Sequence, residues 1–509
     1  MTFSHVTPYQ VCNGSFPLSL RLCLCAMTAS LLMACGSQTS SDTPDTPTPV
    51  NHDMQYIDAG DVGRDMHVDM MMVDMSSHMT PDLEQDMLHD MYSAPDALMP
   101  DDMEMDMQPE DEDMDAPDMN TEPTGCASPL AWHISPTGMG MQDGSSPEHA
   151  APISELNTLI ANRSEGRNLF CLQAGSYPAN TTVRQGGSAM EPVILRGQEG
   201  TLFEDTFVAN STNKFGASGL VVRASHLVIE SIQCERIGQC IRVPGSEGLV
   251  VEGLTLRHLF IKHVGTAIDI ARSGQQVVRD VTIQDVMILQ YSRGGIFLGS
   301  DTEGVHMEDV YIDMQPEQIG GRGSDYPVGI GFFDDARQIQ ISRATVLNSL
   351  GKTDGYSQGD GIDGERSATY IEIADSFFAG HRDGCIDTKS RHTLIRDTIV
   401  VDCKRNLRLW QNDEGNGPRC ERCVSYQPRN AHIFTKGSTP AYFTDLSVYS
   451  DNDTKLVVLD GPGEVIVDGL SGTLSTPEKL NASMVTNSTL MYGQSFMTPT
   501  PPNTTSFTP

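Results

Sequence analysis

Two short phrases, GDGIDGERS at residues 359–367 and RDGCIDTKS at residues 382–390, are so similar that the second repeats the first. Each places two aspartates a few residues apart around a glycine, with apolar and polar residues alternating behind them. Alternation with a period of two predicts a β-strand. A strand and turn that recur at such a short interval predict a fold in which equivalent units stack on each other.

The core of this phrase recurs from residue 240 to residue 434 as a small residue, an apolar one, a variable one and another apolar one. Its copies are CIRV (240–243), AIDI (267–270), GIFL (295–298), GIGF (329–332), GIDG (361–364), CIDT (385–388), NLRL (406–409) and AHIF (431–434). A second strand pattern, rich in Val and Ile, lies between the copies, as in TYIEIADSFF (369–378) and HTLIRDTIVV (392–401). We therefore expect one solenoid coil per repeat and a continuous buried interior. The clearest helical segment is SELNTLIANR (154–163), just before the repeats.

These repeats, with the opening segment NLFCLQAGSYPANTTVRQGGSAMEPVILRGQEG (168–200), resemble the right-handed parallel β-helix superfamily of pectate lyases and polygalacturonases. The resemblance covers most of residues 126–480 and implies an all-β fold, a β-solenoid. The fold itself also serves hydrolases, epimerase-like proteins and inert surface fibres, so the activity has to be argued from the site.

The composition divides the chain into segments. Residues 41–125 contain 24 acidic residues against one basic residue, and 15 of the 27 methionines. Such a segment cannot bury enough apolar surface to offset its ordering entropy. We predict a disordered tether at residues 35–125, a β-helix domain at residues 126–483 and a disordered Thr- and Pro-rich tail at residues 484–509. Methionine clusters can bind Cu(I), but no regular ligand spacing is present here.

The first 40 residues carry an export signal. Arg21 precedes an apolar run of 13 residues, too short to span a bilayer, which ends in LMAC at residues 32–35. This ending resembles the bacterial lipobox, which implies a signal peptide at residues 1–34 and lipidation of Cys35. The expectation is an outer-membrane lipoprotein, facing the cell surface or the periplasm and attached only through its lipid. A plain secreted protein is the alternative.

Eight cysteines follow Cys35 and form pairs that are close in sequence. They are Cys126 and Cys171, Cys234 and Cys240, Cys385 and Cys403, and Cys420 and Cys423. An even number in an exported protein favours disulfides, although eight cysteines allow 105 pairings. The CERC segment at residues 420–423 could also be half of a zinc site or a redox pair, but no second CxxC or paired histidines accompany it.

Stacking would align the variable residue of each phrase in one outward-facing column. That column would contain Arg242, Asp269, Phe297, Gly331, Asp363, Asp387, Arg408 and His432. The next outward column would contain Pro244, Ala271, Gly299, Phe333, Glu365, Lys389, Trp410 and Phe434. Neighbouring coils lie about 4.8 Å apart, so Asp363 and Asp387 would face each other and repel unless a cation lay between them.

Calcium takes oxygen ligands and would suit this gap. We predict that its ligands come from Asp360, Asp363, Glu365, Asp383 and Asp387. Arg405, Arg408, Arg429 and His432 lie just beyond these acids, and Trp410 offers a flat apolar face for a sugar ring. Trp410 and His432 are therefore the predicted substrate contacts. The alternative without function is a set of solvated Asp-Gly turns and cross-strand charge pairs.

Part of this pattern resembles the pectate lyases. Asp383 and Asp387 match the family phrase in which an acidic residue stands four positions before an aspartate. Lys404 or Arg405 falls near the following basic position, and PRNAHIF, with Arg429, is similar to a later arginine segment. The resemblance implies that calcium neutralises a uronate carboxylate and that a base removes the C5 hydrogen to start β-elimination.

The base is left open at this point. Arg405, Arg408 and Arg429 are candidates by the resemblance, yet arginine is a difficult base because its pKa lies above about 12. Lys389 is a second candidate, since its surroundings can lower the pKa of a lysine.

Two other functions remain. Asp360 and Asp383 are similar to the aspartates of polygalacturonases, but Arg382 stands where the first of that family's paired aspartates belongs, and hydrolysis needs both an acid and a base carboxyl. A non-catalytic carbohydrate-binding or adhesive solenoid would use Trp410 as its main contact. Residues 126–509 hold 44 acidic and 31 basic residues, which argues against nucleic acid. The expected partner is an acidic polysaccharide, bound by a monomer.

Overall fold

The computed structural model describes residues 125–209, 216–245, 248, 250–271, 277–319, 326–351, 359–411, 417–477, 484–492 and 499–501. The signal peptide, Cys35 and the acidic tether lie outside these residues. No helix in the described part of the chain is long and apolar enough to cross a membrane.

Strands dominate the described residues. They are β1 (Trp132–Ser135), β2 (Ala151–Pro152), β3 (Leu169–Leu172), β4 (Gly175–Tyr177), β5 (Thr181–Val183), β6 (Val193–Gly197), β7 (Thr201–Glu204), β8 (Ser218–Val222), β9 (Leu227–Glu230), β10 (Gln233–Val243), β11 (Val250–Ile270), β12 (Val277–Leu298), β13 (Asp301–Asp313), β14 (Val328–Phe332), β15 (Arg337–Ser342), β16 (Thr345–Leu347), β17 (Asp360–Gly364), β18 (Thr369–Ala374), β19 (Phe377–Ala379), β20 (Gly384–Thr388), β21 (Arg391–Arg396), β22 (Ile399–Val401), β23 (Arg405–Gln411), β24 (Arg419–Glu421), β25 (Val424–Tyr426), β26 (Ala431–Gly437), β27 (Ala441–Tyr449), β28 (Lys455–Asp460), β29 (Val465–Leu474), β30 (Met484–Thr486) and β31 (Thr489–Tyr492). One α-helix, α1 (Leu156–Ala161), and 3-10 helices at Gly125–Ala127, Pro147–His149, Ile153–Glu155 and Pro316–Ile319 complete the described elements.

The strands form three parallel sheets, and each coil of the chain passes through them in turn. Sheet 1 contains β5, β8, the last residues of β10, β11 and β12, then β14, β17, β20, β23, β26 and β28. Sheet 2 contains β1, β3, β6, β9, the first residues of β11, β12 and β13, then β15, β18, β21, β24, the first residues of β27 and β29, and β30. Sheet 3 contains β4, β7, the first residues of β10, the middle of β11 and β12, the end of β13, then β16, β19, β22, β25, the ends of β27 and β29, and β31. The chain is a right-handed parallel β-helix, and the predicted fold class is confirmed.

Aliphatic side chains stacked on the inner side of sheet 1 hold consecutive coils together. The column runs through Ile241, Ile268, Ile296, Ile330, Ile362, Ile386, Leu407, Ile433 and Val457, each fully buried. Burial of one such side chain stabilises the fold by roughly 1.5–3 kcal/mol. Because side chains alternate along a strand, the same column fixes which residues face outward on sheet 1.

Single residues with left-handed backbone turn the chain from sheet 2 into sheet 3. The corner residues are Ser231, His258, Asp285, Asp309, Arg343, Asp375, Asp397, Arg422, Asp445, Gly469 and Asn487, all with φ between +49° and +76°. Asp and Asn tolerate this conformation better than most residues. Arg343 bonds Asp309 at 2.7 and 2.8 Å, and Arg422 bonds Asp397 at 2.6 Å twice, so ion pairs join neighbouring corners.

The two ends of the described solenoid differ from the predictions in detail. The helix expected at residues 154–163 forms as a 3-10 turn followed by α1, and its Leu156 and Ile160 enter the core. The coil also continues through β30 and β31, which pair with β29. The boundary predicted at residue 483 is therefore wrong for residues 484–492, which are strands of the last described coil and not a disordered tail.

All eight described cysteines form disulfides, and they pair as neighbours in sequence. The bonds join Cys126 to Cys171, Cys234 to Cys240, Cys385 to Cys403, and Cys420 to Cys423. The CERC segment is thus a disulfide in this structure.

Candidate functional site

The strand register brings the two repeated acidic phrases together on the outer face of sheet 1. Asp363 of β17 pairs with Asp387 of β20, and Asp387 pairs with Arg408 of β23. The predicted alignment of these three residues is confirmed. The aliphatic column behind them explains it, because Ile362, Ile386 and Leu407 must all point inward.

The predicted alignment of His432 is wrong by two residues. Arg408 pairs with Phe434, and Trp410 pairs with Lys436. His432 has no exposed surface, and its Nδ1 lies 2.8 Å from Ser425 Oγ inside the coil. Burial lowers the pKa of His432 to about 3. A side chain without exposed surface cannot contact a polymer, so the structure removes His432 from the substrate contacts.

Three aspartates form the base of the site. Asp383 and Asp387 are 4% and 2% exposed. Asp360 Oδ1 accepts a hydrogen bond of 2.6 Å from the Gly384 N–H, which ties β17 to β20. Buried carboxylates need compensating partners. The cationic side chains of Lys389, Arg405 and Arg408 supply positive charge at this base.

Lys389, Arg405 and Arg408 provide the positive charges at this base. Arg408 bonds Asp387 and lies 3.2 Å from Asp383 Oδ2, while Arg405 bonds Asp383 Oδ1 at 2.8 Å. Lys389 Nζ lies 3.3 Å from Asp363 and 3.1 Å from Glu365. Five acids and three cations therefore occupy this cluster, here named the carboxylate cluster: Asp360, Asp363, Glu365, Asp383, Asp387, Lys389, Arg405 and Arg408.

Burial, with a smaller contribution from the neighbouring acids, raises the pKa of two members of the carboxylate cluster. Burial raises the pKa of Asp387 to about 6, even though Arg408 and Lys389 act in the opposite direction. Burial, followed by the charges of Asp387, Asp383 and Asp363, raises the pKa of Asp360 well above its ordinary value. Asp360 is thus the carboxyl group whose negative charge is least compensated.

Trp410 stands above the carboxylate cluster and is surrounded by cations. Its Nε1 donates a hydrogen bond of 2.9 Å to Asp387 Oδ1, which fixes the ring. Cationic groups of four residues lie between 5.2 and 5.9 Å from the ring centroid: Arg366, Lys389, Arg408 and Lys436. Such distances allow cation–π attraction. The outer layer of the site is therefore aromatic and basic, and the acids lie beneath it.

The remaining basic candidates differ in position and charge. Arg429 is exposed, bonds the His381 carbonyl oxygen and lies 3.6 Å from Asp402, so the structure does not bring it into the carboxylate cluster. Burial alone would lower the pKa of Lys389, but the charges of Asp363, Asp387 and Glu365 raise it above the ordinary value. This shift opposes the role of Lys389 as a base.

Lys404 has the opposite shift. Burial is the largest cause that lowers the pKa of Lys404, and the positive charge of Arg405 is the next. The negative charge of Asp383 raises this pKa, and the charges of Arg408 and Arg429 lower it further. A lower pKa makes the neutral amine, the form that can accept a proton, easier to reach. The sequence placed Lys404 near the basic position of the lyases, and the structure adds the charge environment that favours it.

The fit of calcium depends on both charge and spacing. The carboxylate cluster offers oxygen ligands only and has two more acids than cations, which suits a divalent ion. In the described residues, no three His, Cys, Asp or Glu side chains surround a common point as metal ligands do. Lys389 and Arg408 lie against the carboxylates that were predicted to face calcium. The oxygen donors suit calcium, but in the described residues they are paired with cations and do not converge on a common point, so this arrangement is not a formed calcium site.

Sequence reasoning missed three members of the outer layer: Arg366, Phe434 in its true register, and Lys436. Arg405 lies 4.4 Å from the Phe434 ring centroid. Alignment of Ile433 with Leu407, instead of His432 with Arg408, would have placed Phe434 and Lys436 in the two outward columns. Arg366 lies near the end of the GDGIDGERS phrase, in the turn after β17. The alternation that defines the outward columns does not extend into this turn.

No family model and no curated protein sequence matches this chain. Among solved structures, a GH136 lacto-N-biosidase from Eubacterium ramulus superposes with a TM-score of 0.51 at 11% identity, over 68% of this chain and 68% of that chain. The pectate lyase Pel9A superposes with a TM-score of 0.38 at 11% identity, over 70% and 78% of the two chains. PfbA, a surface adhesin of Streptococcus pneumoniae, gives 0.44 at 10% identity, over 70% and 90%. At 10–11% identity these likenesses concern the fold alone.

Proposed function

We propose that the outer face of sheet 1 binds an acidic, uronate-containing polysaccharide and cleaves it by β-elimination. The observation that carries this proposal is the set of four cationic groups around Trp410: Lys389 and Arg408 belong to the carboxylate cluster, and Arg366 and Lys436 lie outside it. A sugar ring can lie on the indole, and the surrounding ammonium and guanidinium groups attract its carboxylate.

The charge distribution supports an acidic ligand at this place. Residues 126–509 carry a formal charge of about −13, so a polyanion is repelled from most of the domain. A local basic patch on an acidic protein selects where such a polymer can bind. Arg366 and Lys436 are exposed and lie at the rim of this patch, where they meet the polymer first.

Lys404 is the proposed base. It immediately precedes Arg405 in the chain, and its charge environment includes Asp383, Arg405 and Arg408 of the carboxylate cluster. In its neutral form, its amine would accept the C5 proton of a bound uronate. Asp383 would act by holding Arg405 and Arg408 in place beside the substrate carboxylate.

Calcium is proposed as the cofactor, held by Asp360, Asp363, Asp383 and Asp387 with Glu365 at the rim. When bound, it would supply positive charge that neutralises the uronate carboxylate and so acidifies the C5 hydrogen. The raised pKa of Asp360 supports this, because its carboxyl group has the least compensated charge in the cluster.

A second candidate is hydrolysis of the glycosidic bond. Asp360 and Asp387 both have raised pKa values, and a protonated carboxyl beside an ionised one is the arrangement that glycoside hydrolases use. In this case the protonated member of this pair would donate a proton to the leaving oxygen, and calcium would not be required.

One experiment separates the candidates. The full chain is incubated with polygalacturonate, alginate and other uronate polymers, with calcium or with a chelator, while product absorbance from the new double bond and new reducing ends are followed together. We expect calcium-dependent absorbance. Reducing ends without absorbance would establish hydrolysis instead, and binding without either product would leave a carbohydrate-binding solenoid.

Lysine variants test the base. Lys404→Ala should lower the elimination rate roughly 10²- to 10⁴-fold, the usual contribution of a general base. Lys455→Ala, an exposed lysine on β28, is the matched control and should retain the rate. Equal rates for Lys404→Ala and the unchanged protein would exclude Lys404 as the base.

We also propose that Cys35 is lipidated and that the β-helix is held at the outer membrane by the acidic segment. The lipobox-like LMAC supports this proposal. Labelled palmitate should be incorporated into the expressed protein and should be absent from Cys35→Ala.

A further inference from the structure

A second groove lies on sheet 2, on a different face from the carboxylate cluster. Its volume is about 610 Å³, and its lining includes Gly304, Gln338, Gln340, Tyr370 and His392. These residues belong to β13, β15, β18 and β21, which are neighbours in sheet 2. We infer that this groove is a binding site for neutral sugar residues of a polysaccharide.

An irregular column in the sheet shapes the groove. Gly304, Gln338, Tyr370 and His392 occupy equivalent positions on four successive coils, and the strand register skips this position on each coil. All four have left-handed backbone, with φ between +55° and +68°. The same position is occupied by Asp280 on the preceding coil, and Gly304, which has no side chain, separates Asp280 from the larger residues that follow.

Tyr370 is the aromatic platform of the groove. Its side chain is 57% exposed. The imidazole of His392 stacks on it at 4.7 Å between centroids and 7° between planes. His392 stacks on one face of the ring and so fixes its orientation, and the exposed part of the ring lines the groove.

Planar polar groups surround this platform. Gln338 and Gln340 are exposed, and neither makes a side-chain hydrogen bond to another residue in the described part of the chain. A primary amide can donate and accept at once, which suits the adjacent hydroxyl groups of a sugar ring. An aromatic face flanked by two such amides is the chemistry that recognises a pyranose, with its apolar C–H face and polar edge.

The charge of the groove favours neutral sugars. Apart from histidines, its lining contains one ionisable side chain, Glu372, and Arg396 pairs with that carboxylate at 2.7 Å. This contrasts with the cation-rich layer around Trp410. The groove therefore suits the neutral segments or side chains of a polysaccharide, and this inference does not depend on the reaction proposed for sheet 1.

Native affinity electrophoresis of the full chain tests the groove. Gels contain galactan, arabinan, xylan, glucomannan or mixed-linkage glucan, and retardation gives an apparent association constant. We expect at least one of these neutral polysaccharides to retard the protein. Tyr370→Asn, which retains a residue tolerant of left-handed backbone, should weaken that association by roughly tenfold or more. Gln340→Ala should weaken it without altering the backbone of the groove column.

Two controls locate the site. Tyr442→Ala removes another exposed tyrosine of sheet 2, on β27, and should retain the retardation. Trp410→Ala should also retain it, because Trp410 belongs to sheet 1. The proposal is wrong if no neutral polysaccharide retards the unchanged protein, if folded Tyr370→Asn and Gln340→Ala bind as well as it does, or if Trp410→Ala alone abolishes binding.

Discussion

Asp387 links the acidic and the aromatic layers of the sheet 1 site. One carboxylate oxygen accepts the indole N–H of Trp410, and the other bonds Arg408. The side chain is 2% exposed, and its pKa is raised from 3.8 to about 6 by burial. A residue in this position sets both the orientation of the Trp410 indole and the charge beneath it.

The raised pKa predicts how stability changes with pH. Between the ordinary value of 3.8 and about 6, the folded protein binds a proton at Asp387 that the unfolded chain has lost. The stability contributed by the protonated group is therefore present below pH 3.8 and is lost as the pH rises through 6. The Asp387→Asn protein has no ionisable group at this position. The melting temperature of this variant minus that of the unchanged protein should therefore rise by a few degrees between pH 4 and pH 7.5.

Calorimetry at several pH values measures this difference. His381 and His432 are buried, with pKa values lowered to about 3, and they destabilise the fold as the pH falls below the ordinary histidine value. Both are present in the two proteins, so their effect cancels in the difference. Asp205→Asn, on an exposed side chain, is the matched control. A difference that stays constant with pH would show that burial does not raise the pKa of Asp387.

Catalytic loss at the same residue is a separate prediction. Asp387→Ala should abolish calcium-dependent cleavage, because Trp410 loses the acceptor that orients its ring and Arg408 loses one of its two carboxylates. The circular dichroism of the folded protein should be retained, since the aliphatic column behind sheet 1 is unchanged. Full activity in Asp387→Ala would remove the carboxylate cluster from the mechanism.

The individual residues show how far sequence alone could reach. The alternation of the GIDG and CIDT phrases was enough to place Asp363 beside Asp387, because Ile362 and Ile386 had to face inward together. In AHIF, two adjacent apolar residues, Ile433 and Phe434, left two registers open. Only the pairing of β23 with β26 decides between them.

At the scale of elements, α1 protects the exposed edge of sheet 1. The first described strand of that sheet, β5, pairs with β8 on one side. On its other side, the Asn157 side chain of α1 donates to the Thr182 carbonyl oxygen at 2.8 Å and accepts from the Arg184 N–H at 2.7 Å. One amide thus satisfies two edge groups that would otherwise be open to another chain.

Asn157→Ala should destabilise the protein by about 1–3 kcal/mol, because a partly buried carbonyl and an N–H lose their partner. It should also increase aggregation on mild heating, since the edge of β5 becomes available. Urea denaturation and light scattering measure the two effects. Asn162→Ala, at the other end of the same helix, is the control; equal behaviour of both variants would show that the edge needs no cap.

Corner residues explain which elements the sequence could not separate. The run TYIEIADSFF reads as one strand pattern, yet it forms β18 and β19 in two different sheets. Asp375, with φ of +49°, makes the corner between them. A single left-handed residue changes the direction of the chain but hardly interrupts the alternation of apolar and polar residues. The sequence pattern therefore predicted the coil but not the division of this run between sheet 2 and sheet 3.

At the scale of the whole molecule, the disulfides differ in their access to solvent. Cys171, Cys234, Cys240, Cys385, Cys403, Cys420 and Cys423 are at most 1% exposed. Cys126, near the start of the described chain, keeps some exposed surface. Reduction requires a thiolate to reach a sulfur atom.

Mild reduction without denaturant should therefore open Cys126–Cys171 first, while the other three bonds resist until the coils unfold. Alkylation followed by mass spectrometry identifies which cysteines become free with time. The same treatment in denaturant should open all four bonds together and serves as the control. Simultaneous opening in the native protein would mean that its coils separate readily.

The ladder of left-handed corners has a consequence for the length of the molecule. Each corner is made by one residue, and the corners of successive coils are superimposable, so the segment between any two equivalent corners is a complete module. Removal or duplication of one module would bring together the same kinds of interior contacts and shift everything beyond it by about 4.8 Å along the axis. The corners thus make the reach of this solenoid adjustable in whole steps, and the distance from the sheet 1 site to either end of the solenoid can change without redesign of the core.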